Sequence, residues 1–189
     1  MDGDTPLHVA SANGHSGAVR LLMPTEAEYN DFPANKNGCT APEIAVVNGK
    51  VDVVKMFVTE VKKPQVRKEH LFQLACETNQ LDMMEALISD CGCDPYYEFE
   101  GGNTLLHIAA ANNRLSIIEM LVIKFACSPY TENASKEIPL HVAIKKGHVE
   151  AYLMLSDMRV AKIKQQAKQE YQMRGRNSST CQCSRATSS

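Results

Sequence analysis

Hydrophobic and polar positions repeat in five similar stretches along this chain. The clearest stretch, from Gly102 to Lys124, reads GNTLLHIAAANNRLSIIEMLVIK. Its apolar residues recur three or four positions apart, as on one face of a helix, and the polar segment NNR interrupts them. Each stretch therefore predicts two short helices joined by a turn.

The stretches align on a small residue in the first helix, and this residue sets the period of the repeat. The aligned residues are Ala10, Ala45, Ala75, Ala109 and Ala143. Their separations are 35, 30, 34 and 34 residues, close to the roughly 33-residue period of a two-helix unit that stacks on copies of itself. The short third unit has a charged segment from Lys62 to His70 without a Thr-Pro start, so we expect no projecting finger there.

Short motifs around the first and last of these alanines indicate the kind of repeat. The segments TPLHVA, from Thr5 to Ala10, and IPLHVA, from Ile138 to Ala143, resemble the signature of the ankyrin repeat. The resemblance covers residues 3 to about 158. It implies an all-α, ankyrin-type helical-repeat solenoid with short loop or β-turn fingers.

Three regions follow from this resemblance. We predict an ankyrin-like repeat array over 1–158, a basic C-terminal helix over 159–174 that caps the last layer, and a disordered tail over 175–189. Within the array, the units are expected near 3–35, 36–66, 67–100, 101–134 and 135–158. Binding of the basic helix to acidic lipid or nucleic acid is a weaker alternative to its role as a cap.

Local signals predict where the helices of the first unit begin and end. Thr5 is expected to cap a helix that begins at Pro6, and Gly14 is expected to end it in a left-handed turn. The equivalents of Gly14 are Gly49, Asn79, Asn113 and Gly147, and asparagine also tolerates that conformation. The residues expected to face inward are Leu7, Val9, Ala10, Val19 and Leu22.

Three histidines at equivalent positions could suggest a metal site or a catalytic group. His8, His107 and His141 occupy equivalent positions in different layers, and even the nearest two, His107 and His141, are 34 residues and one layer apart, which is too far and too regular for a catalytic dyad. The resemblance implies instead that each imidazole binds backbone and the threonine hydroxyl, as from Thr5 and Thr104. Glu43 takes the histidine position in the second unit.

By analogy with the family, a protein partner would bind the concave face, at the positions after each central alanine. These residues are Ala12, Asn13, Val47, Asn48, Glu77, Thr78, Ala111, Asn112, Lys145 and Lys146. The row changes from neutral through acidic to basic, so we expect it to recognise a partner by charge and shape. The loop YYEFEGGN, which contains Phe99 and Glu100, is either a second contact surface or a solvated loop.

Charge is unevenly distributed, although the net charge is only −2. Residues 159–189 contain seven Lys or Arg and one Glu, giving +6, so residues 1–158 carry −8. With 44% hydrophobic and 22% charged residues the chain is not disordered overall. The absence of Trp is consistent with a core of Leu, Ile, Val, Ala and Met in thin helical layers.

Catalytic and metal-binding motifs are missing from the sequence. It contains no GxxxxGK[ST], GxGxxG, GxSxG or HExxH. The close cysteine pairs, at 91–93 and 181–183, lack the spacer of a typical zinc site, and Cys76, Cys93 and Cys127 are expected to be buried thiols. We therefore expect no enzyme activity, no cofactor, no metal and no small-molecule substrate.

The remaining inferences concern location and role. The longest apolar run, 117–123, is broken by Glu119, and the start MDGDTPLHV lacks signal-peptide features, so we expect an intracellular, cytoplasmic protein without a transmembrane segment. The first unit has no preceding cap, which suggests a piece of a longer array or a covering surface. The sequence predicts a non-catalytic protein–protein interaction module; the alternative is the recognition segment of a larger enzyme, receptor or channel.

Overall fold

The computed structural model of the chain describes residues 3–23, 32–60 and 67–157. Helices account for most of these residues, and a short 3-10 turn lies at Glu100–Gly102. The helices are α1 (Pro6–Asn13), α2 (Ser16–Leu22), α3 (Ala41–Val47), α4 (Val51–Glu60), α5 (Lys68–Glu77), α6 (Leu81–Ser89), α7 (Leu105–Ala111), α8 (Leu115–Ile123) and α9 (Pro139–Lys146). A further helix, α10, covers 149–157, up to the last described residue.

The helices pair and stack as a solenoid. Each first helix packs on the next, in the order α1, α3, α5, α7 and α9, while α2 packs on α4 and α4 on α6. Within 3–23, 32–60 and 67–157 there is no sheet, and the bridge between Phe99 and Asn103 is isolated. The predicted all-α helical-repeat solenoid is confirmed; the exact unit boundaries stay a prediction.

The core is one continuous row of side chains between the layers. The central alanines are 0–6% exposed, because a small side chain there lets successive first helices approach closely. Larger apolar residues, among them Phe57, Leu105 and Ile117, fill the space between the paired helices and are fully buried. A single layer could not bury this surface alone, so the layers depend on one another.

A left-handed residue ends each first helix. Gly14, Gly49 and Gly147 have φ of 75°, 65° and 76°, and Asn79 and Asn113 have φ of 60° and 54°. At Gly14 the reversal lets its own N–H donate to the Ser11 carbonyl, and the next N–H donates to Ala10. Equivalent positions thus share one backbone conformation whether they hold glycine or asparagine.

Tight turns project from the start of three units as fingers. The backbone N–H of Asn35 donates to Cys39, that of Phe99 to Asn103, and that of Asn133 to Glu137, at 2.8–3.0 Å. The amide oxygen of Asn133 also accepts two backbone N–H groups inside its turn. An asparagine side chain therefore replaces the missing backbone pairing at the tip.

Two residues expected to face inward do not. Val9 is 51% exposed and Leu22 is 42% exposed. Val9 lies on the side of α1 that faces the groove below the fingers, where its equivalents Ile44 and Leu74 are also only partly buried. Leu22 is exposed because no described residue stacks on the outer side of the first unit, whereas its equivalent Phe57 is 0% exposed.

Several predictions lie outside the described residues. They concern most of the segment from Lys62 to His70, where the third unit was expected to lack a finger and of which 62–66 are not described, the basic helix over 159–174, the tail over 175–189, and Cys181 with Cys183. Within the described part of that third unit, α5 begins at Lys68, directly after Arg67.

Candidate functional site

The inner groove is the surface formed by the exposed sides of α1, α3, α5, α7 and α9. An apolar row runs along it, one position before each central alanine, and every member is partly or largely exposed. The row consists of Val9, Ile44, Leu74, Ile108 and Val142. The predicted contact residues lie three and four positions further along, on the same side of each helix.

The first predicted contact position, two residues after the alanine, joins adjacent layers through its backbone. The carbonyl oxygen of Glu77 accepts from both Nε and Nη2 of Arg114, at 3.0 and 2.6 Å. Nε2 of Gln80 donates to the carbonyl of Val47 at 3.2 Å, and Nε2 of His148 bonds the carbonyl of Ala111 at 2.9 Å. These side chains, which the sequence did not single out, hold the starts of α6, α8 and α10 to the layer before each of them.

The second predicted contact position, three residues after the alanine, holds the end of its own helix. The amides of Asn13, Asn48 and Asn112 each donate to a carbonyl four residues earlier, at 2.8–2.9 Å. The hydroxyl of Thr78 does the same at 2.7 Å. The amide oxygens and the exposed parts of these side chains remain available at the groove surface.

The charged residues at the predicted contact positions differ in whether their side chains already make hydrogen bonds. Nε2 of Gln73 donates to the Glu77 carboxylate at 2.8 Å, while Nζ of Lys145 donates to Glu137 at 3.0 Å. That hydrogen bond is the main reason why the pKa of the partly buried Glu137 carboxyl is lowered. Lys146 is exposed, and its ammonium group forms no hydrogen bond or ion pair with the described residues.

The buried histidines join one layer to the next. Nδ1 of His107 accepts the Thr104 N–H at 3.1 Å, and Nε2 lies 2.9 Å from the carbonyl oxygen of Glu137. Because a carbonyl only accepts, Nε2 carries the proton, and the Thr104 hydroxyl, 2.9 Å from Nδ1, must donate. Burial lowers the pKa of His107.

His8 repeats this arrangement and His141 does not. His8 bonds Thr5 through Nδ1 and the carbonyl of Cys39 through Nε2 at 3.1 Å. Nδ1 of His141 accepts the N–H of Ile138 at 3.4 Å, and its ring is exposed, whereas His8 is 1% exposed. His8 and His107 are therefore held both by their own unit and by the start of the next one, whereas His141 bonds only its own unit among the described residues.

A cavity opens in the inner groove between the second and third units. It has a volume of about 320 Å³ and is lined by Gly38, Cys39, Glu43, Ile44, Val47, Asn48, His70 and Leu74. Val47 is 49% exposed. The cavity lies beneath the unit-two finger, where α5 follows Arg67 without a described turn like those at 35–39 or 133–137.

Glu43 replaces the usual histidine at the boundary between the second and third units and so brings a carboxylate to it. One carboxylate oxygen accepts the N–H and the hydroxyl of Thr40, at 2.7 and 2.9 Å, and so reproduces the role of Nδ1 in His8. The other oxygen lies 2.9 Å from Nε2 of His70. In the second unit, the pair formed by Glu43 and His70 therefore takes the place of the hydrogen bond that His8 and His107 make to a backbone carbonyl of the next unit.

Cysteine, histidine and glutamate in one cavity could suggest a nucleophilic site. However, the Cys39 thiol donates to the carbonyl of Asn37, at 3.9 Å, and among the described residues no hydrogen bond joins it to His70. A cysteine nucleophile needs a base within hydrogen-bond reach. This arrangement supports recognition through an apolar wall more than it supports catalysis.

The unit-four finger presents an aromatic and acidic surface. The rings of Tyr97 and Phe99 meet edge to face, 5.0 Å apart. Tyr97 is 41% exposed, while Phe99 is half-buried against the core. Glu98 and Glu100 are exposed beside them. Of the two predicted finger residues, Glu100 is open to solvent and Phe99 mainly supports Tyr97.

The described cysteines are unpaired, and most are buried. Burial raises the pKa of the Cys76 thiol to about 12 and those of Cys93 and Cys127 to about 11. Cys39 is half-exposed. The buried thiols therefore stay protonated at neutral pH and pack as small apolar groups.

Neither a metal centre nor a membrane span is found in the described part of the chain. Within 3–23, 32–60 and 67–157, no group of three His, Cys, Asp or Glu residues could hold a metal ion. Over the same ranges, no helix has the length and apolar character needed to cross a bilayer.

Comparison with known families agrees with this geometry. The family model for ankyrin repeats, which contains three copies, matches residues 1–69 and 71–167. The chain therefore belongs to the ankyrin-repeat family, whose repeats are generally protein–protein interaction modules and are typically non-catalytic. No curated protein matches the sequence.

Proposed function

We propose that this chain binds a protein partner in the inner groove, with an apolar side chain of the partner inserted between the second and third units. The cavity of about 320 Å³ lined by Ile44, Val47 and Leu74 is the observation that carries this proposal. An open, largely apolar cavity with a few polar groups is a typical recognition site.

The contacts inside the cavity favour an aliphatic anchor. Ile44, Val47 and Leu74 supply apolar walls, while the Glu43 carboxylate already accepts from Thr40 and contacts His70. A charged side chain would have to compete with these contacts, whereas an aliphatic side chain would cover exposed apolar surface.

The predicted contact residues then form the margins of the groove. Asn48 and Val47 line the cavity itself, and Glu77 lies one layer further along. Lys145 and Lys146 are exposed at the last described layer. We propose that these charges align the partner, since charges at the edge of an interface act more on orientation and association rate than on affinity.

The unit-four finger is a second proposed contact. Tyr97 and Glu100 are exposed there, and exposed aromatic side chains are common anchors at protein interfaces. A combined substitution of Glu77, Lys145 and Phe99 that left every captured partner bound at unchanged affinity would contradict the role of these margins.

We propose that binding takes place inside the cell, without catalysis and without a cofactor. Cys76, Cys93 and Cys127 support the location, because they are packed as buried thiols and such cysteines are typical of reducing compartments. Imaging of the tagged protein tests the location, and detection of the chain in an oxidising compartment would contradict it.

The groove is tested by capture of partners from native extract, quantified by mass spectrometry. Val47→Asp places a charge in the cavity at an exposed site, so the fold should be retained while partners that use the cavity are lost. Ile123→Asp is the matched control, because Ile123 is 68% exposed and does not line the cavity. Equal partner sets for both variants and the wild type would overturn the proposed site.

A further inference from the structure

Three Asn-Gly pairs occur in the chain, and the two residues of such a pair can react with each other. The asparagines are Asn13, Asn37 and Asn48. The backbone nitrogen that follows an asparagine can attack the carbon of its side-chain amide, and a glycine at that place leaves the attack unhindered because it has no side chain. Asparagine is for this reason one of the thermolabile residues. The structure places the three pairs in different surroundings.

Two of the side-chain amides are held at the ends of helices. Nδ2 of Asn13 donates to the carbonyl of Val9 at 2.8 Å, and Nδ2 of Asn48 donates to the carbonyl of Ile44 at 2.9 Å. In both pairs the glycine N–H also donates to a carbonyl three residues earlier, within the turn that ends the helix. The reaction there requires both the amide and the helix end to come free.

The third amide lies at the tip of the unit-two finger. Asn37 is exposed, and its side chain forms no hydrogen bond with the described residues. Its backbone, in contrast, is held: its N–H donates to Oδ1 of Asn35 at 3.0 Å, and the N–H of Gly38 donates to the carbonyl of Asn35 at 2.9 Å. Only the hydrogen bond from Gly38 has to open before its nitrogen can approach the amide carbon of Asn37.

Exposure of the fingertip is a property of the turn itself. The positions equivalent to Asn37 in the other two described fingers are Gly101 and Ser135, and both are exposed. Gly101 is exposed although its finger contacts the next one, where the N–H of Ala134 donates to its carbonyl at 2.9 Å. The residue after the tip is left-handed in every one of these turns, with φ of 78° at Gly38, 69° at Gly102 and 61° at Lys136. The tip therefore faces solvent even where a neighbouring finger is present.

We propose that Asn37 is a site of spontaneous deamidation and isoaspartate formation, with water as the co-reactant. The nitrogen of Gly38 forms a bond to Cγ of Asn37, and the side-chain nitrogen leaves as ammonia with the proton that Gly38 loses. The product is a five-membered succinimide ring. Water then opens this ring. Cleavage between Cγ and the Gly38 nitrogen gives aspartate, whereas cleavage between the backbone carbonyl carbon and the same nitrogen gives isoaspartate.

The isoaspartate product lengthens the backbone inside the finger. Its chain runs through Cβ and Cγ of residue 37 and so contains an additional carbon atom between Asn35 and Cys39. The N–H of Asn35 closes the finger on the carbonyl of Cys39 at 2.9 Å, and the same carbonyl lies 3.1 Å from Nε2 of His8. The added atom should displace this carbonyl and so weaken the contact between the first and second units. The aspartate product, whose backbone is unchanged, should not.

The same finger borders the cavity of the inner groove, because Gly38 and Cys39 line it. A displaced finger would alter the rim of the cavity and with it the binding of a partner. This consequence rests on the proposed function. The reaction at Asn37 needs no partner and is measured on the chain alone, so its failure and the failure of the proposed function are separate results.

The experiment follows the three pairs in one molecule. The full chain is kept in weakly alkaline buffer at body temperature, and the peptides that contain Asn13, Asn37 and Asn48 are quantified by mass spectrometry at intervals. The same incubation in denaturant gives the rate of each pair in the unfolded chain. The ratio of folded to unfolded rate should be at least roughly 5-fold larger for Asn37 than for the other two, the effect of one additional hydrogen bond. A ratio for Asn37 equal to or below the others would overturn the proposal.

Asn37→Ser is the matched control, because Ser135 occupies the equivalent tip of the unit-five finger. An isoaspartate-specific methyltransferase should label the peptide around position 37 in the aged wild type, and an unlabelled peptide would overturn the proposal. The aged wild type should also unfold at a lower temperature than equally aged Asn37→Ser. Fresh Asn37→Asp, with the new charge on an unchanged backbone, should unfold like fresh Asn37→Ser; a loss as large as that of the aged wild type would contradict displacement of the finger.

Discussion

Nε2 of His107 donates a hydrogen bond of 2.9 Å to the carbonyl oxygen of Glu137, so a side chain of one unit holds the turn that starts the next. Nδ1 of the same ring accepts the N–H of Thr104 at 3.1 Å and so holds the start of α7. The local helix cap and the stacking of layers therefore depend on one neutral imidazole.

Loss of this ring should destabilise the fold much more than loss of its exposed equivalent. His107→Ala leaves the Thr104 N–H and the Glu137 carbonyl unpaired in a buried region and should cost about 2–4 kcal/mol of unfolding free energy. His141→Ala should cost less than about 0.5 kcal/mol. Urea denaturation at low protein concentration measures both, and equal losses would contradict the bridging role.

The pH dependence of stability should show the burial of His107. Burial lowers its pKa below the ordinary value of 6.5, so the unfolded chain binds a proton before the folded chain does. The contribution of this neutral imidazole is complete above pH 6.5 and falls as pH drops towards the folded pKa, by up to about 1.4 kcal/mol per pH unit.

His107→Gln removes this titration and provides the comparison. Other groups titrate in both proteins, but only the wild type loses the contribution of the neutral His107 imidazole. Its free energy of unfolding should therefore fall more steeply than that of the variant as pH is lowered from 6.5. Parallel curves in this range would show that His107 does not contribute.

The contact between Arg114 and Glu77 should stabilise the boundary between the third and fourth units. The guanidinium donates twice to one carbonyl, at 3.0 and 2.6 Å, and is half-buried. Arg114→Ala should cost about 1.5–3 kcal/mol, the range for a hydrogen bond to a charged group. Gln80→Ala removes the equivalent neutral hydrogen bond and should cost about 1 kcal/mol of unfolding free energy. A loss in Gln80→Ala equal to or larger than that in Arg114→Ala would contradict this explanation.

Two exposed glycines should respond oppositely to alanine. An added Cβ at Gly147 or Gly17 meets no atom within 4 Å, so backbone conformation alone decides the effect. Gly147 has φ of 76°, and Gly147→Ala should cost about 1–2 kcal/mol. Gly17 lies within α2, and Gly17→Ala should stabilise by about 0.5–1 kcal/mol. Thermal unfolding measures both, and changes of the same sign would be inconsistent with this explanation.

Thiol reactivity should follow burial. In a protein with Cys181 and Cys183 replaced by serine, Cys39 should be the one fast-reacting thiol among the five described cysteines. Burial raises the pKa values of Cys76, Cys93 and Cys127, so less of the reactive thiolate forms there. Titration with a disulfide reagent before and after denaturation counts the groups, and rapid reaction of more than one would contradict this order.

Much of the fold could be predicted from particular residues. Thr5 with Pro6 marked the start of α1, and Gly14 marked its end. Asn79 and Asn113 adopt the same left-handed conformation as the glycines. These features depend on contacts within a few residues, and such contacts are present in the sequence itself.

The candidate site was harder to predict, because its properties depend on the neighbouring layer. The sequence placed Asn13, Asn48 and Asn112 on the inner groove, but their amides also hold the carbonyls of their own helices. The role of Arg114 was missed, although its position between two helices of a repeat was a usable signal. The cavity beside Val47 arises from the meeting of two dissimilar units, and neither unit contains it alone.

The sequence by itself determined the period, the helix pairs and their ends, because local propensities and apolar spacing specify those. Only the tertiary structure decided which equivalent residues are covered. Leu21 and Met56 occupy one repeat position, and so do His141 and His107, yet one member of each pair is exposed and the other is buried. Burial is a property of the layer stacked above a residue, and that layer is absent from the residue's own segment of sequence.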